Sequence, residues 1–259
     1  MKLIDPTTIS EWLQPHSLEW YKQLSALTNE YKYSWNSTHT EPNGESIFDQ
    51  EVFQKFKNKK VLDVGCGHGE FTIQCSSVAR EIVGFDVTEN FIRIGDKQKL
   101  SNVSFVKGNS KEGLPFANNE FDCAYNRKGP TSAYPSLKRV VKEEGVILGL
   151  HPGDELGKEL PDLFPNLFES SKGMPILDTL EKRMEESNFK HFQIEVVNSI
   201  EFLHTPMDII AMRCFGQKPK IQEILIEENL LKISNIFKRH ATNNGLPITL
   251  SRYLVRAVV

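Results

Sequence analysis

The chain has 259 residues, four of them cysteine, a net charge of −3 and a pI near 6.2. That length suits one compact domain with a substantial core, and the weak acidity gives no general attraction to a polyanion. Cys66, Cys75, Cys123 and Cys214 show no C-x-x-C spacing, so neither a metal site nor a disulfide framework is expected; no apolar run suits a signal peptide or a bilayer span, which predicts a soluble, cytoplasmic protein.

In chain order, Ser10 and Ser17 are candidate caps of short helices, and Leu18, Tyr21, Leu24 and Leu27 recur at helical spacing within 17–33. Residues 35–44 read as a loop and 46–56 as a helix. A buried strand, Val61-Leu62-Asp63-Val64, then stops at Gly65, Gly67 and Gly69, and a helix is predicted over 70–79. This is a nucleotide-binding turn: glycine lets the backbone bend sharply and approach a ligand, and the turn's N–H groups are expected to point at that ligand. A second strand, 81–86, ends in Asp86, seventeen positions beyond Gly69, where a doubly wound fold places the acid that binds a ribose.

Strands at 103–107 and 121–125 lead to the polar ends Gly108-Asn109-Ser110 and Asn126-Arg127. After the loop 126–135 a fifth strand ends at His151, a general-base candidate because imidazole titrates near neutrality. A helix over 174–188, a sixth strand over 189–197 with Phe192, Ile194 and Val196 alternating, helices near 206–214 and 221–239, and a last strand over 248–258 complete the pattern. The turn and acid also suit a nicotinamide or flavin dinucleotide. Against that, Asp63 is unneeded beside a pyrophosphate but suits a cationic cofactor, and Gly65-x-Gly67-x-Gly69 lacks the wider last gap of G-x-G-x-x-G.

The string V-L-D-V-G-C-G-H-G with Asp86 resembles the class I S-adenosylmethionine-dependent methyltransferases over roughly residues 59–151. The resemblance implies a Rossmann-like, doubly wound, mostly parallel seven-stranded α/β sheet with an antiparallel last strand. It implies S-adenosyl-L-methionine as cofactor, with Asp63, Gly65, Cys66, Gly67 and Gly69 facing its methionine part. Asp86 and Val87 are then placed at the ribose, Asn109 and Ser110 near adenine, and Asn126 at the next strand end. Asn109 stands where many members carry an acid, and Glu143-Glu144 replaces the family's usual proline and glycine, a less rigid turn.

The same resemblance makes residues 1–58 an N-terminal helical cap, 59–198 the cofactor-binding core, 199–247 a helical insertion and 248–259 the last strand, all within a single domain. Arg127 is expected near the cofactor methyl, and Tyr33 and Trp35 as walls of the acceptor site. The insertion is a candidate lid, acceptor pocket or dimer surface, with Phe202, His204, Met207 and Met212 as lining groups. The segment after the fifth strand is also similar to bacterial large-subunit rRNA guanine methyltransferases, whose N-terminal zinc cluster has no counterpart here, since residues 1–58 contain no cysteine. A small-molecule acceptor is therefore favoured, with rRNA as the alternative and a non-catalytic S-adenosylmethionine-binding module as a third reading. No metal and no membrane are expected, and the oligomeric state is open.

Overall fold

The computed structural model describes residues 2–170 and 173–259. Its elements are α1 (Leu18–Thr28), β1 (Ser37–His39), α2 (Gly44–Lys55), β2 (Lys60–Val64), α3 (Glu70–Ser76), β3 (Glu81–Asp86), α4 (Glu89–Asp96), β4 (Val103–Lys107), β5 (Phe121–Arg127), α5 (Tyr134–Val140), β6 (Val141–Pro152), α6 (Leu160–Leu163), α7 (Ile176–Ser187), β7 (His191–Leu203), α8 (Pro206–Arg213), α9 (Pro219–His240) and β8 (Leu246–Val258). The strands pair in the order β1-β7-β8-β6-β5-β2-β3-β4. From β6 to β4 neighbours run parallel, and β8 lies antiparallel to β6.

The chain divides into two compact units. A core unit comprises Pro42–Asp154, Met174–Val197 and Ser251–Val259; a helix-rich unit comprises Met1–Glu41, Glu155–Gly173 and Asn198–Leu250. In the core unit neighbouring strand residues feed two different apolar clusters, because successive side chains leave a strand on opposite faces. Leu62, Phe85, Ala124 and Ile147 pack with Tyr134 and Leu137 of α5 and with Leu180 and Met184 of α7. Val61, Ile82, Tyr125 and Leu148 pack with Phe48 and Val52 of α2 and with Cys75 of α3. Both faces are thus covered, as parallel strands require. In the helix-rich unit Ile209 and Ile210 of α8 and Ile221, Leu225 and Ile233 of α9 share a core with Phe164, Leu167 and Leu203.

The core-unit strands fall where the sequence predicts them, and α1 begins at the Ser17 cap, whose Oγ accepts from the Trp20 N–H at 3.2 Å. Four expectations need correction. The sheet has eight strands rather than seven, because Ser37–His39, read as loop, pairs antiparallel with Glu201–Leu203. β7 runs on to Leu203 rather than ending near 197, so Phe202, expected in the helical insertion, sits on a strand. The last two strands, which the resemblance implies form an antiparallel hairpin at the sheet edge, are antiparallel, since Lys190 N–H donates to Val258 O and Ser199 Oγ to Leu250 O, but β1 lies outside them. No helix follows Ser10; Asp5 instead caps a single 3-10 turn at Pro6–Thr8. The division into units also differs from the predicted one, since α2 belongs with the core unit and only residues up to Glu41 with the N-terminal part of the other.

Candidate functional site

β2 ends in a turn built by three left-handed glycines, Gly65, Gly67 and Gly69, with φ of 79°, 57° and 85°. A Cβ on Gly65 would lie 2.7 Å from Gly129 Cα, so glycine is required both by the backbone angle and by the close passage of the loop that follows β5. The turn's donors, however, are turned inward. Gly65 and Cys66 N–H both reach Phe85 O, Gly69 N–H reaches Cys66 O, and Gly67 N–H donates to Asp86 Oδ2 at 3.0 Å. The expectation that these groups point at a ligand is corrected: they hold the turn onto the end of β3.

Asp86 is the hub of that arrangement. Its second oxygen accepts from the Thr88 N–H at 2.8 Å, and its carboxyl is nonetheless held above the ordinary carboxylate range because burial outweighs the two N–H donors. Val87 and Cys66 are half-buried beside it. Cys66 Sγ lies 3.6 Å from Gly67 O, and burial pushes its thiol well up, so it is no nucleophile.

Asp63, one residue before the end of β2, is buried at 2% exposure. Thr72 Oγ1 and the Tyr125 hydroxyl both donate to its Oδ2, at 2.6 and 2.8 Å, while Oδ1 takes neither bond. Burial raises its pKa to about 7. Across the turn, Asn126 is fully buried at the end of β5; its Nδ2 donates to Pro130 O at 2.9 Å, and its Oδ1 has no donor among the described residues. Asn109 spends its side chain locally, accepting from Lys111 N–H and donating to Glu112, while buried Ser110 bonds to Ser132 at 2.8 Å.

The two residues expected to act on the acceptor have other partners. Arg127 grips Asp49 through Nε and Nη2 at 2.8 and 3.0 Å, reaches Glu45 at 3.3 Å and stacks on Phe71. His151 is buried with Nε2 2.7 Å from the Tyr134 hydroxyl, and desolvation pushes its pKa down to about 3. An imidazole that acidic is a poor proton acceptor at neutral pH.

Sequence reasoning missed the ion cluster around Arg127. Glu45, in the first turn of α2, accepts from Lys128 at 3.1 Å and from Arg252 Nη2 at 2.7 Å as well as from Arg127, and these cations hold its carboxyl down at about 2. Glu45 and Asp49 stand at i and i+4, on one helix face, which was the signal available in the sequence.

The acceptor-side candidates all lie in the helix-rich unit. Tyr33 stacks on Trp35 with centroids 4.4 Å apart, and the Phe215 ring stands nearly perpendicular to both. Trp35 Nε1 donates to buried Glu201 at 2.8 Å. Phe202 is half-buried, His204 lies 3.3 Å from Thr38 Oγ1, and Met207 is exposed.

A doubly wound sheet with a glycine turn after its first parallel strand and an acid after its second defines a nucleotide-type cofactor-binding enzyme. Comparison with known proteins narrows the class. A family profile described as a methyltransferase domain matches residues 55–229, and the chain belongs to that family, the class I S-adenosylmethionine-dependent methyltransferases. The demethylmenaquinone methyltransferase of Staphylococcus carnosus is 27% identical in an alignment 172 residues long that covers 54% of this chain and 71% of that one. Two solved structures share the fold at 18% identity. A functionally unknown protein from Deinococcus radiodurans has a TM-score of 0.62, covering 93% of this chain and 97% of that one. The YcgJ protein from Bacillus subtilis has a TM-score of 0.57, covering 82% and 98%. Among the described residues no helix is long and apolar enough to cross a membrane.

Proposed function

We propose that this chain binds S-adenosyl-L-methionine in the core unit and moves its methyl group to a small, apolar organic acceptor. The carrying observation is that Gly67 N–H is spent on Asp86 and the Gly65, Cys66 and Gly69 N–H groups on backbone carbonyls, which leaves the acids beside the turn as its acceptors for a cationic nucleoside. A pyrophosphate needs donors; a sulfonium nucleoside with an ammonium and a ribose diol needs acceptors. Asp86 keeps lone pairs for two hydroxyls, and Asp63 Oδ1, which neither Thr72 nor Tyr125 takes, and the buried, unpaired Asn126 Oδ1 are acceptors suited to an ammonium. The residues present therefore fit the methyl donor and not a dinucleotide. Val87 and Cys66 would flank it, with Asn109 and Ser110 toward the base.

When bound, the cofactor supplies a methyl group made electrophilic by positive sulfur, so the protein's work is alignment and exclusion of water. Asp63 and Asp86 hold the two ends of the donor. Arg127, clamped to α2, fixes the loop that crosses the turn and is a positioning residue in this reading. His151, buried and neutral, supports Tyr134 and passes no proton. The relative from Staphylococcus carnosus is named for a demethylmenaquinone, which favours a flat, apolar acceptor.

Calorimetry with S-adenosylhomocysteine and with NAD, followed by a methyl-transfer screen against quinol-like and phenolic acceptors and unmodified rRNA, tests the proposal. Asp86→Asn is expected to weaken S-adenosylhomocysteine about 10- to 100-fold, the worth of one or two hydrogen bonds to a charged group. Tyr33→Ala and Trp35→Ala are expected to raise the acceptor KM without changing cofactor affinity. Binding of NAD alone, or transfer to rRNA alone, overturns it.

A further inference from the structure

The helix-rich unit holds a second polar feature that methyl transfer does not use. Arg213, in the last turn of α8, lies with its guanidinium carbon 4.5 Å from the centre of the Trp12 ring and 5.9 Å from that of Phe168. Stacking of this kind holds a guanidinium flat and leaves its in-plane N–H groups to meet a ligand. The most enclosed arginines of the core unit, Arg127 and Arg252, have carboxylate partners. Arg213 has no hydrogen bond or ion pair among the described residues, and its Nε is buried without an acceptor. The indole Nε1 of Trp12, on the ring it stacks against, is a second buried donor without one. Two such donors, one of them charged, are an unfavourable arrangement unless an acceptor joins them.

We propose that Arg213 and Trp12 form a binding site for a carboxylate carried on an apolar body. A planar carboxylate matches the guanidinium fork, and the indole N–H supplies a further donor. Asp5 and Glu169 act on the charge of Arg213 without pairing with it, so their field tolerates a monoanion and repels a phosphate dianion. Asp5 is itself engaged, accepting from Thr7 N–H and Oγ1 at 2.8 Å each. The apolar preference comes from the surroundings: Trp12, Phe168 and Met212 lie at the rim of the core formed by Phe164, Leu167 and Ile209. The site is independent of the cofactor assignment and stands if that assignment fails.

The test is a titration of the full chain followed by the ¹⁵N indole signals of its three tryptophans, with Trp12→Phe assigning the Trp12 peak. Benzoate, acetate and inorganic phosphate are added at constant ionic strength. Benzoate is expected to shift the Trp12 peak saturably, acetate more weakly, and phosphate not at all. Arg213→Gln is expected to weaken benzoate about tenfold or more, the loss of a charge-assisted pair. Arg213→Lys, which keeps the charge without the fork, is expected to fall between the two, and it serves if Arg213→Gln does not fold. A Trp12 signal indifferent to benzoate overturns the proposal, as does a response unchanged in both Arg213 variants or a site that takes phosphate more tightly than benzoate.

Discussion

Asp63 and His151 are buried titratable groups with opposite linkage. The folded state keeps His151 neutral down to about pH 3, whereas an exposed imidazole takes a proton near pH 6.5, so its contribution is present above that value and lost as pH falls. Asp63 holds its proton up to about pH 7, against about 3.9 when exposed, so its contribution is present at low pH and lost as pH rises. Between about pH 4 and 6.5 the two slopes cancel. Removing one exposes the other. For His151→Gln, which still accepts from Tyr134, unfolding free energy relative to wild type is expected to fall by about 1.4 kcal/mol for each pH unit gained in that window. Urea melts at several pH values measure it, and parallel curves for the two proteins would refute the linkage. None of this was legible in the sequence. His151 at a strand end reads equally as base or as packed ring, and only its burial against Tyr134 decides which chemistry it retains.

At the scale of elements, α2 is tied to the core unit by charge as well as by packing. Phe48 and Val52 bury its apolar side, and Glu45 and Asp49 meet Arg127, Lys128 and Arg252. The Arg252 side chain is only 5% exposed, so Glu45→Gln leaves it under-compensated. Breaking a buried pair costs about 3–5 kcal/mol, and the quarter of Glu45 that solvent still reaches lowers the expected loss to about 2–3 kcal/mol. Because the pKa of Glu45 is depressed to about 2, wild-type stability from this cluster is present above about pH 4.3 and lost as pH falls toward 2. The variant lacks that dependence, which acid titration of its unfolding transition would detect. A weaker S-adenosylhomocysteine affinity is expected alongside, since Arg127 and Lys128 belong to the loop whose Gly129 lies on Gly65. The elements themselves were largely readable, because alternation and glycine punctuation are local signals. The irregularity within β6 was readable as an anomaly: Glu144 takes the left-handed conformation at φ 62° where glycine is usual.

For the whole molecule, the parallel core was legible because each of its strands is a local apolar run with a polar end. The division into two units was not, since it depends on which distant segments pack together, and Ser37-Thr38-His39 has no apolar pattern to mark it as a strand. The ligand that stabilises the assembled chain follows from the turn's accounting of donors and acceptors. With Gly65, Cys66, Gly67 and Gly69 N–H groups already bonded, a pyrophosphate finds none of these four donors free, whereas a ribose diol adds to Asp86 and leaves the turn intact. Thermal melting reads this difference directly. At 100 times its Kd, a ligand that binds only the folded chain stabilises it by about 2.7 kcal/mol. For a chain of this size that corresponds to a rise in Tm of about 5–10 °C with S-adenosylhomocysteine and none with NAD at the same concentration. Asp86→Asn should cut the rise by about half or more while Tyr33→Ala preserves it, which separates loss of the cofactor site from loss of acceptor recognition; a rise with NAD that survives Asp86→Asn would mean that the turn holds phosphate after all.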